Sequence, residues 1–163
     1  MGLFGSYLER AGTDPAGGTG DQMEGMEGYP DRAARRVAIQ SMRAVESGDR
    51  EGWLALFTDD AIVQDPIGPS PLDPSGEGHR GRDAIAAFYD NIVSQGRISF
   101  RIRESYVAGD ECANVGTITT AFPDGSRVVV EGVYTYRTDG GERLTALRAF
   151  WDYEAAKFEP APG

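Results

Sequence analysis

The stretch VQDPIG, residues 63–68, sets a carboxylate where an apolar alternating pattern points inward. In AIVQDPI, Ala61, Val63 and Asp65 share one side of an extended chain, and Ile62 and Gln64 share the other. Ala61 and Val63 suit a core face, which puts Asp65 near the inner rim of whatever this strand helps enclose. Pro66 keeps Asp65 extended and removes a backbone donor. A partly desolvated carboxylate gains proton affinity and becomes a stronger general base. The plainer role for the same residues is an Asx-type turn into the loop that follows. Other polar residues are weaker candidates. Glu104 shares parity with Phe100, Ile102 and Tyr106, and Glu131 interrupts a valine run, so either is a candidate second acid or a solvent-facing glutamate. His79 sits in a Pro/Gly-rich loop, as a ligand contact or an exposed loop residue.

These side chains need elements to hold them. Residues 1–28 read as a leader: a short amphipathic start with Leu3, Phe4, Tyr7 and Leu8 on one helical face, then a Gly- and acid-rich stretch too poor in branched apolar residues to order itself by burial. A domain spans 29–157, and 158–163 form a tail. Asp31 opens a first helix as its cap or first-turn acid; the inner face is Ala34, Val37, Ala38, Ser41, Met42 and Val45, and Gly48 stops it. REGWLALF is a second, short helix, and TDD at 58–60 turns into the Asp65 strand. Pro and Gly make 68–81 a loop. A third helix runs from about Asp83 to Ser94. The period then changes to two, giving four successive strands separated by Gly109-Asp110, Pro123-Asp124-Gly125 and Asp139-Gly140-Gly141. Helices first and an antiparallel meander second give an α+β class, with three helices packed in a strongly curved sheet that forms a cone with a mouth.

Composition narrows the function classes. A net charge of −10 repels nucleic-acid phosphates and anionic lipid surfaces. No apolar run approaches the roughly 20 residues of a membrane span. Cys112 is the single cysteine and His79 the single histidine, so no internal disulfide, Cys/His zinc spacing or multi-histidine metal site arises within one subunit. A reducing, cytoplasmic setting fits this cysteine usage. No cofactor is expected.

SGDREGWLALFTDDAIVQDPIG, followed by a GRDAIAAFYDNIV helix and a closing VYTYRTDGGERLTALRAFWD, resembles the ketosteroid-isomerase branch of the nuclear-transport-factor-2-like fold, a cystatin-like roll. The resemblance covers about residues 30–155, and Gly48 to Gly68 is its most specific part. It implies that Asp65 is the general base of a double-bond shift. It puts Ser41 at the family's first-helix tyrosine and Tyr134 at its late-strand protonated aspartate, the two hydrogen-bond donors to the enolate. It puts Trp151 at a pocket-lining aromatic and Tyr89 at a helix tyrosine that supports the donors, and Phe57 joins the apolar substrate contacts. Both primary donors therefore differ from the family pattern. Tyr134 shares its strand face with Val130, Gly132 and Tyr136, and a phenol is a competent neutral donor, although a core tyrosine fits the same pattern. Ser41 lies on the inner helix face, where a water-holding role and simple packing both fit. The resemblance implies an apolar, carbonyl-bearing cyclic substrate and a homodimer. Polyketide cyclases and epoxide hydrolases share the cone, so cyclisation, epoxide opening and non-catalytic lipophile binding are alternatives.

Overall fold

The computed structural model of the chain describes Met26 and residues 29–163; the amphipathic start and most of the expected leader lie outside the described residues. Helix α1 is Ala33–Ser47, and Ala34, Val37, Ala38, Ser41 and Met42 form its buried face. Gly48 ends it in the left-handed conformation, φ 70°, and its N–H returns to the carbonyls of Ala44 and Val45. A residue with a Cβ is strained there, which is why a glycine stops the helix. The helix start differs from the expected Asp31 cap. Arg32 is the N-cap residue and gives no side-chain cap, while the Asp31 carboxylate accepts from Arg36 at 2.6 Å. Helix α2, Arg50–Leu54, is capped by Asp49, whose carboxylate accepts from the Gly52 N–H at 2.9 Å. Helix α3, Arg82–Asn91, buries Ile85, Phe88 and Tyr89.

The strands are β1 Phe57–Gln64, β2 His79–Arg80, β3 Arg97–Ala108, β4 Glu111–Ala121, β5 Arg127–Thr138, β6 Leu144–Phe150 and β7 Lys157–Glu159. They make one sheet in the order β2-β1-β6-β5-β4-β3, with β7 beside the start of β5. The meander β3–β6 is antiparallel throughout, and β1 joins β6 in parallel. The expected second helix, running to Phe57, stops at Leu54, and β1 begins at Phe57, where it pairs with Leu144. A strand pairing supplied from far along the chain overrides a short apolar run that suits either state.

Curvature comes from two glycines paired across strands, Gly116 on β4 and Gly132 on β5. A Cβ at Gly116 would stand 2.2 Å from the Arg101 carbonyl oxygen, and one at Gly132 would stand 2.5 Å from that of Phe150. Neighbouring backbones approach there as no other residue allows, and the sheet curls. The concave face wraps α1, and Val37, Ala38, Met42, Trp53, Phe57, Val63, Ile85 and Leu144 form the buried core. Each large side chain of that set contributes about 1.5–3 kcal/mol by leaving water. Met26 packs into the same core at 5% exposure. No helix among the described residues is long and apolar enough to cross a membrane.

Candidate active site

Between the concave face, α1 and α3 lies a cavity of about 470 Å³. Small-molecule sites fall in this size range, with apolar walls and a few placed polar groups. Val45, Ile92, Val93, Ile98, Ile118 and Val128 are among its apolar lining, and Ser41, Asp65, Tyr134 and Tyr136 bring polar groups. One wall comes from the C-terminal segment. The chain leaves the sheet after Phe150 and rejoins β5 at Lys157–Glu159. Trp151, Tyr153, Ala156 and Phe158 of this stretch face the cavity.

Asp65 follows the last residue of β1. Ala61 and Val63 are fully buried, and Asp65 is the next residue on that side. Gln64 pairs with Arg148, and the Ile67 N–H donates to the Ala149 carbonyl at 3.0 Å, so β6 holds the chain on both sides of Asp65. The Asp65–Pro66 peptide is cis. Asp65 keeps half-buried accessibility as a residue and lines the cavity, where its carboxylate accepts from the Trp151 indole Nε1–H at 2.6 Å. Burial raises the proton affinity of this carboxyl above its ordinary value, the Trp151 hydrogen bond opposes that rise, and the nearby His79 opposes it more weakly.

The remaining candidates separate. Tyr134 is 2% exposed, lines the cavity, and donates from its hydroxyl to the Val130 carbonyl at 3.2 Å. Ser41 lines the cavity, and its Oγ accepts from the Trp53 indole at 3.0 Å. Phe57 and Tyr89 are not among the lining residues, which corrects their expected place. They pack against Trp53 at ring-centroid distances of 4.7 and 5.5 Å, and Trp53 itself reaches the cavity. Glu104 points outward: a bulge between Ile102 and Glu104 reverses the strand's parity, so Ser105 turns in and Glu104 meets the Tyr106 hydroxyl at the surface. Glu131 is also outside, accepting from Arg103 at 2.6 Å and from Thr117 at 2.5 Å. His79 stacks on Phe88 at 4.8 Å and is not a lining residue.

The sequence reading missed Trp53, Tyr136, Tyr153 and Phe158 as cavity residues. For Tyr136 the signal was present, since it shares strand parity with Tyr134. No group of three or more His, Cys, Asp and Glu side chains suited to a metal ion occurs among the described residues.

A second buried polar cluster sits under β3 and β4. Arg35 of α1 is 4% exposed and donates from Nε to the Ser105 Oγ at 3.1 Å, from Nη2 to the Ser105 carbonyl at 3.3 Å and from Nη1 to the Pro30 carbonyl at 2.6 Å. Its guanidinium lies 4.7 Å from the Tyr29 ring centroid. Ser105 meets the Cys112 Sγ at 3.6 Å, and that thiol donates to the Asn114 Oδ1 at 3.4 Å. Burial raises the Cys112 thiol's proton affinity, so it stays a protonated, inert donor.

A profile of the SnoaL-like domain matches residues 38–147. Over 117 residues the chain is 29% identical to the steroid Delta-isomerase of Nocardioides simplex, covering 72% of this chain and 88% of that protein. Over 137 residues it is 29% identical to the epoxide hydrolase LasB of Streptomyces lasalocidi, covering 78% of this chain and 45% of that one. The crystal structure of the Delta 5-3-ketosteroid isomerase from Mycobacterium sp. matches with a TM-score of 0.76 at 39% identity, covering 79% of this chain and 100% of that chain. The three helices and curled sheet are those of these neighbours.

Proposed function

The chain belongs to the SnoaL-like domain family, and from that premise we propose that it is a cofactor-free acid–base catalyst of proton transfer on an apolar, carbonyl-bearing cyclic molecule. One observation carries this reading: a carboxylate of raised proton affinity, anchored by Trp151, faces an apolar cavity shared with the Tyr134 and Tyr136 phenols of β5. Asp65 removes a proton from the carbon between a carbonyl and a double bond. The C–H electron pair moves into an enolate, whose oxygen takes a hydrogen bond from β5. The protonated Asp65 then returns the same proton to the far carbon of the old double bond. The double bond shifts into conjugation, and no electrons or atoms are gained or lost. Desolvation favours the abstraction, because it strengthens the base and the enolate's hydrogen bond alike. The similarity to a steroid isomerase at 39% identity supports a polycyclic ketone as the nearest substrate class.

The similarity to LasB favours a second reading, in which Asp65 acts in epoxide opening. Two substrates separate the readings: a β,γ-unsaturated polycyclic ketone, followed by the rise of conjugated-enone absorption, and an epoxide, followed by product analysis. Turnover of the ketone that disappears in Asp65→Asn supports isomerisation; turnover of the epoxide alone overturns it. A cytoplasmic homodimer, joined through the convex face that exposes Phe150 at 48%, completes the proposal. Sedimentation at micromolar concentration tests it, and a monomer refutes the dimer.

A further inference from the structure

Two phenols of β5 turn toward the cavity, and hydrogen-bond accounting separates them. Resting on the reading that the cavity takes a carbonyl-bearing substrate, we infer that the Tyr136 hydroxyl, rather than that of Tyr134, receives the substrate's oxygen and holds the enolate that forms there. The Tyr134 hydroxyl is already committed to the Val130 carbonyl at 3.2 Å. That bond joins a side chain to a carbonyl earlier on its own strand, across Gly132, and the concave bend of β5 brings the two within reach. Using Tyr134 as a donor to substrate would strip Val130 of this partner. The other polar groups beside it are engaged as well: Ser41 accepts from Trp53 and Asp65 accepts from Trp151. Thr120 lines the cavity at the opposite end of the sheet, in the row of Val128 and Ile98.

Tyr153 also lines the cavity with an uncommitted hydroxyl, but it is 42% exposed and water completes it, which leaves Tyr136 as the exception among the buried groups. Its hydroxyl makes no hydrogen bond with any described residue, although Tyr136 is 3% exposed. Nor is it sealed away: the single buried side-chain nitrogen or oxygen without a partner or accessible surface among the described residues is the Asn114 Nδ2. The surface that the Tyr136 hydroxyl keeps therefore faces the cavity that Tyr136 lines. A buried hydroxyl without a partner is costly, and such a group persists where a ligand or water completes it.

Position fits the role. Tyr136 pairs with Leu147, and Leu147 pairs with Val63, which shares its inward face with Asp65. Base and donor thus enter one cavity from strands separated by β6 alone, about 10 Å between backbones. Burial, and then the Asp65 charge, raise the proton affinity of the Tyr136 phenol, so it is a protonated donor at every ordinary pH. When Asp65 takes its proton the carboxylate charge disappears and reappears on the substrate oxygen. A fixed phenol beside that oxygen stabilises the transition state without reorganising.

The experiment compares Tyr136→Phe and Tyr134→Phe with the parent protein, using progesterone carrying a 13C-labelled ring carbonyl and infrared difference spectroscopy. A hydrogen bond to the carbonyl lowers its stretching frequency. Tyr136→Phe is expected to abolish the bound-state downshift and to lower kcat about 10²–10³-fold, with Tm unchanged or raised because no protein hydrogen bond is lost. Tyr134→Phe is expected to keep the downshift, lose less rate and lower Tm. Retention of the downshift in Tyr136→Phe overturns the assignment and leaves the Asp65 reading standing. A lowered Tm in Tyr136→Phe without loss of the downshift makes the residue structural and overturns it too. Failure of the parent protein to bind progesterone or isomerise its unconjugated counterpart overturns the substrate reading itself, and the assignment with it.

Discussion

At one side of the concave face Arg35, Ser105, Cys112 and Asn114 bond to one another beneath α1; at the other side Asp65 bonds to Trp151 and faces open volume. The two groups are linked through the sheet. Ser105 pairs with Asn114, Asn114 pairs with Tyr134, Tyr134 pairs with Ala149, and Asp65 lies just past the β1–β6 pairing beside Ala149. Both are polar and removed from bulk water, so burial alone does not distinguish a group proposed to be catalytic from a structural one. What differs is where the hydrogen-bonding capacity goes. Arg35 spends it on the Ser105 hydroxyl and on main-chain carbonyls of Pro30 and Ser105, which fastens α1 to β3. Asp65 spends one acceptor site on Trp151 and keeps the rest of its carboxylate for whatever enters.

Four variants would break or sharpen this contrast. The largest effect belongs to Asp65→Asn, which should lower kcat by about 10²–10⁴-fold while leaving ligand binding measurable by titration. The same change should stabilise the fold at neutral pH, because a buried charge is removed. The sign follows from linkage: a carboxyl whose folded proton affinity exceeds its unfolded one contributes stability below the ordinary carboxylate range, and that contribution is lost as pH rises through the elevated folded value. Thermal melts across pH should show this decline in the parent protein and a flatter profile in the variant. Loss of stability in Asp65→Asn at every pH would place Asp65 with the structural group instead.

Arg35→Met reverses the expectation. It leaves the Pro30 and Ser105 carbonyls and the Ser105 hydroxyl without their donor, and should cost on the order of 3 kcal/mol in denaturant unfolding. Its kcat should equal the parent's at temperatures where both are folded. Trp151→Phe should act more gently. It removes the hydrogen bond that opposes the rise in Asp65 proton affinity, so the acidic limb of the kcat/KM profile should move to higher pH. A limb that stays in place would detach Trp151 from the base. The smallest effect is expected of Cys112→Ala, whose lost sulfur contacts of 3.4 and 3.6 Å should cost about 1 kcal/mol with no change in rate.

The meander was legible because its strands repeat every second residue and Pro/Gly signals separate them. Asp65 was legible for the same reason: Ala61 and Val63 announce an inward face and Asp65 continues it. The resemblance put Trp151 on the pocket, but its bond to Asp65 was not legible. Trp151 meets it from 86 positions along the chain, a distance that no local pattern reports. Phe57 was read as a substrate contact and Tyr89 as a support for the donors; both are buried against Trp53 and neither lines the cavity. Glu104 was assigned a parity that the β3 bulge reverses, and one inserted residue in a strand leaves no mark in a run of alternating residue types. Tyr134 and Tyr136 share a face by simple alternation, yet which hydroxyl is committed depends on the bend at Gly132.

The parallel pairing of β1 with β6 carries a consequence for how the molecule comes into being. Every long strand of the meander meets a partner close in sequence, but β1 must wait for residues 144–148 before it finds its long neighbour. Contacts between distant segments close late, because the intervening chain loses its freedom first. The carboxylate on which the proposed chemistry depends is thus made early on the ribosome and surrounded last. A chain cut short before Leu144 carries Asp65 and the short β2 pairing of Ile62 and Val63, but lacks the β6 strand on the other side and the indole that binds the carboxylate.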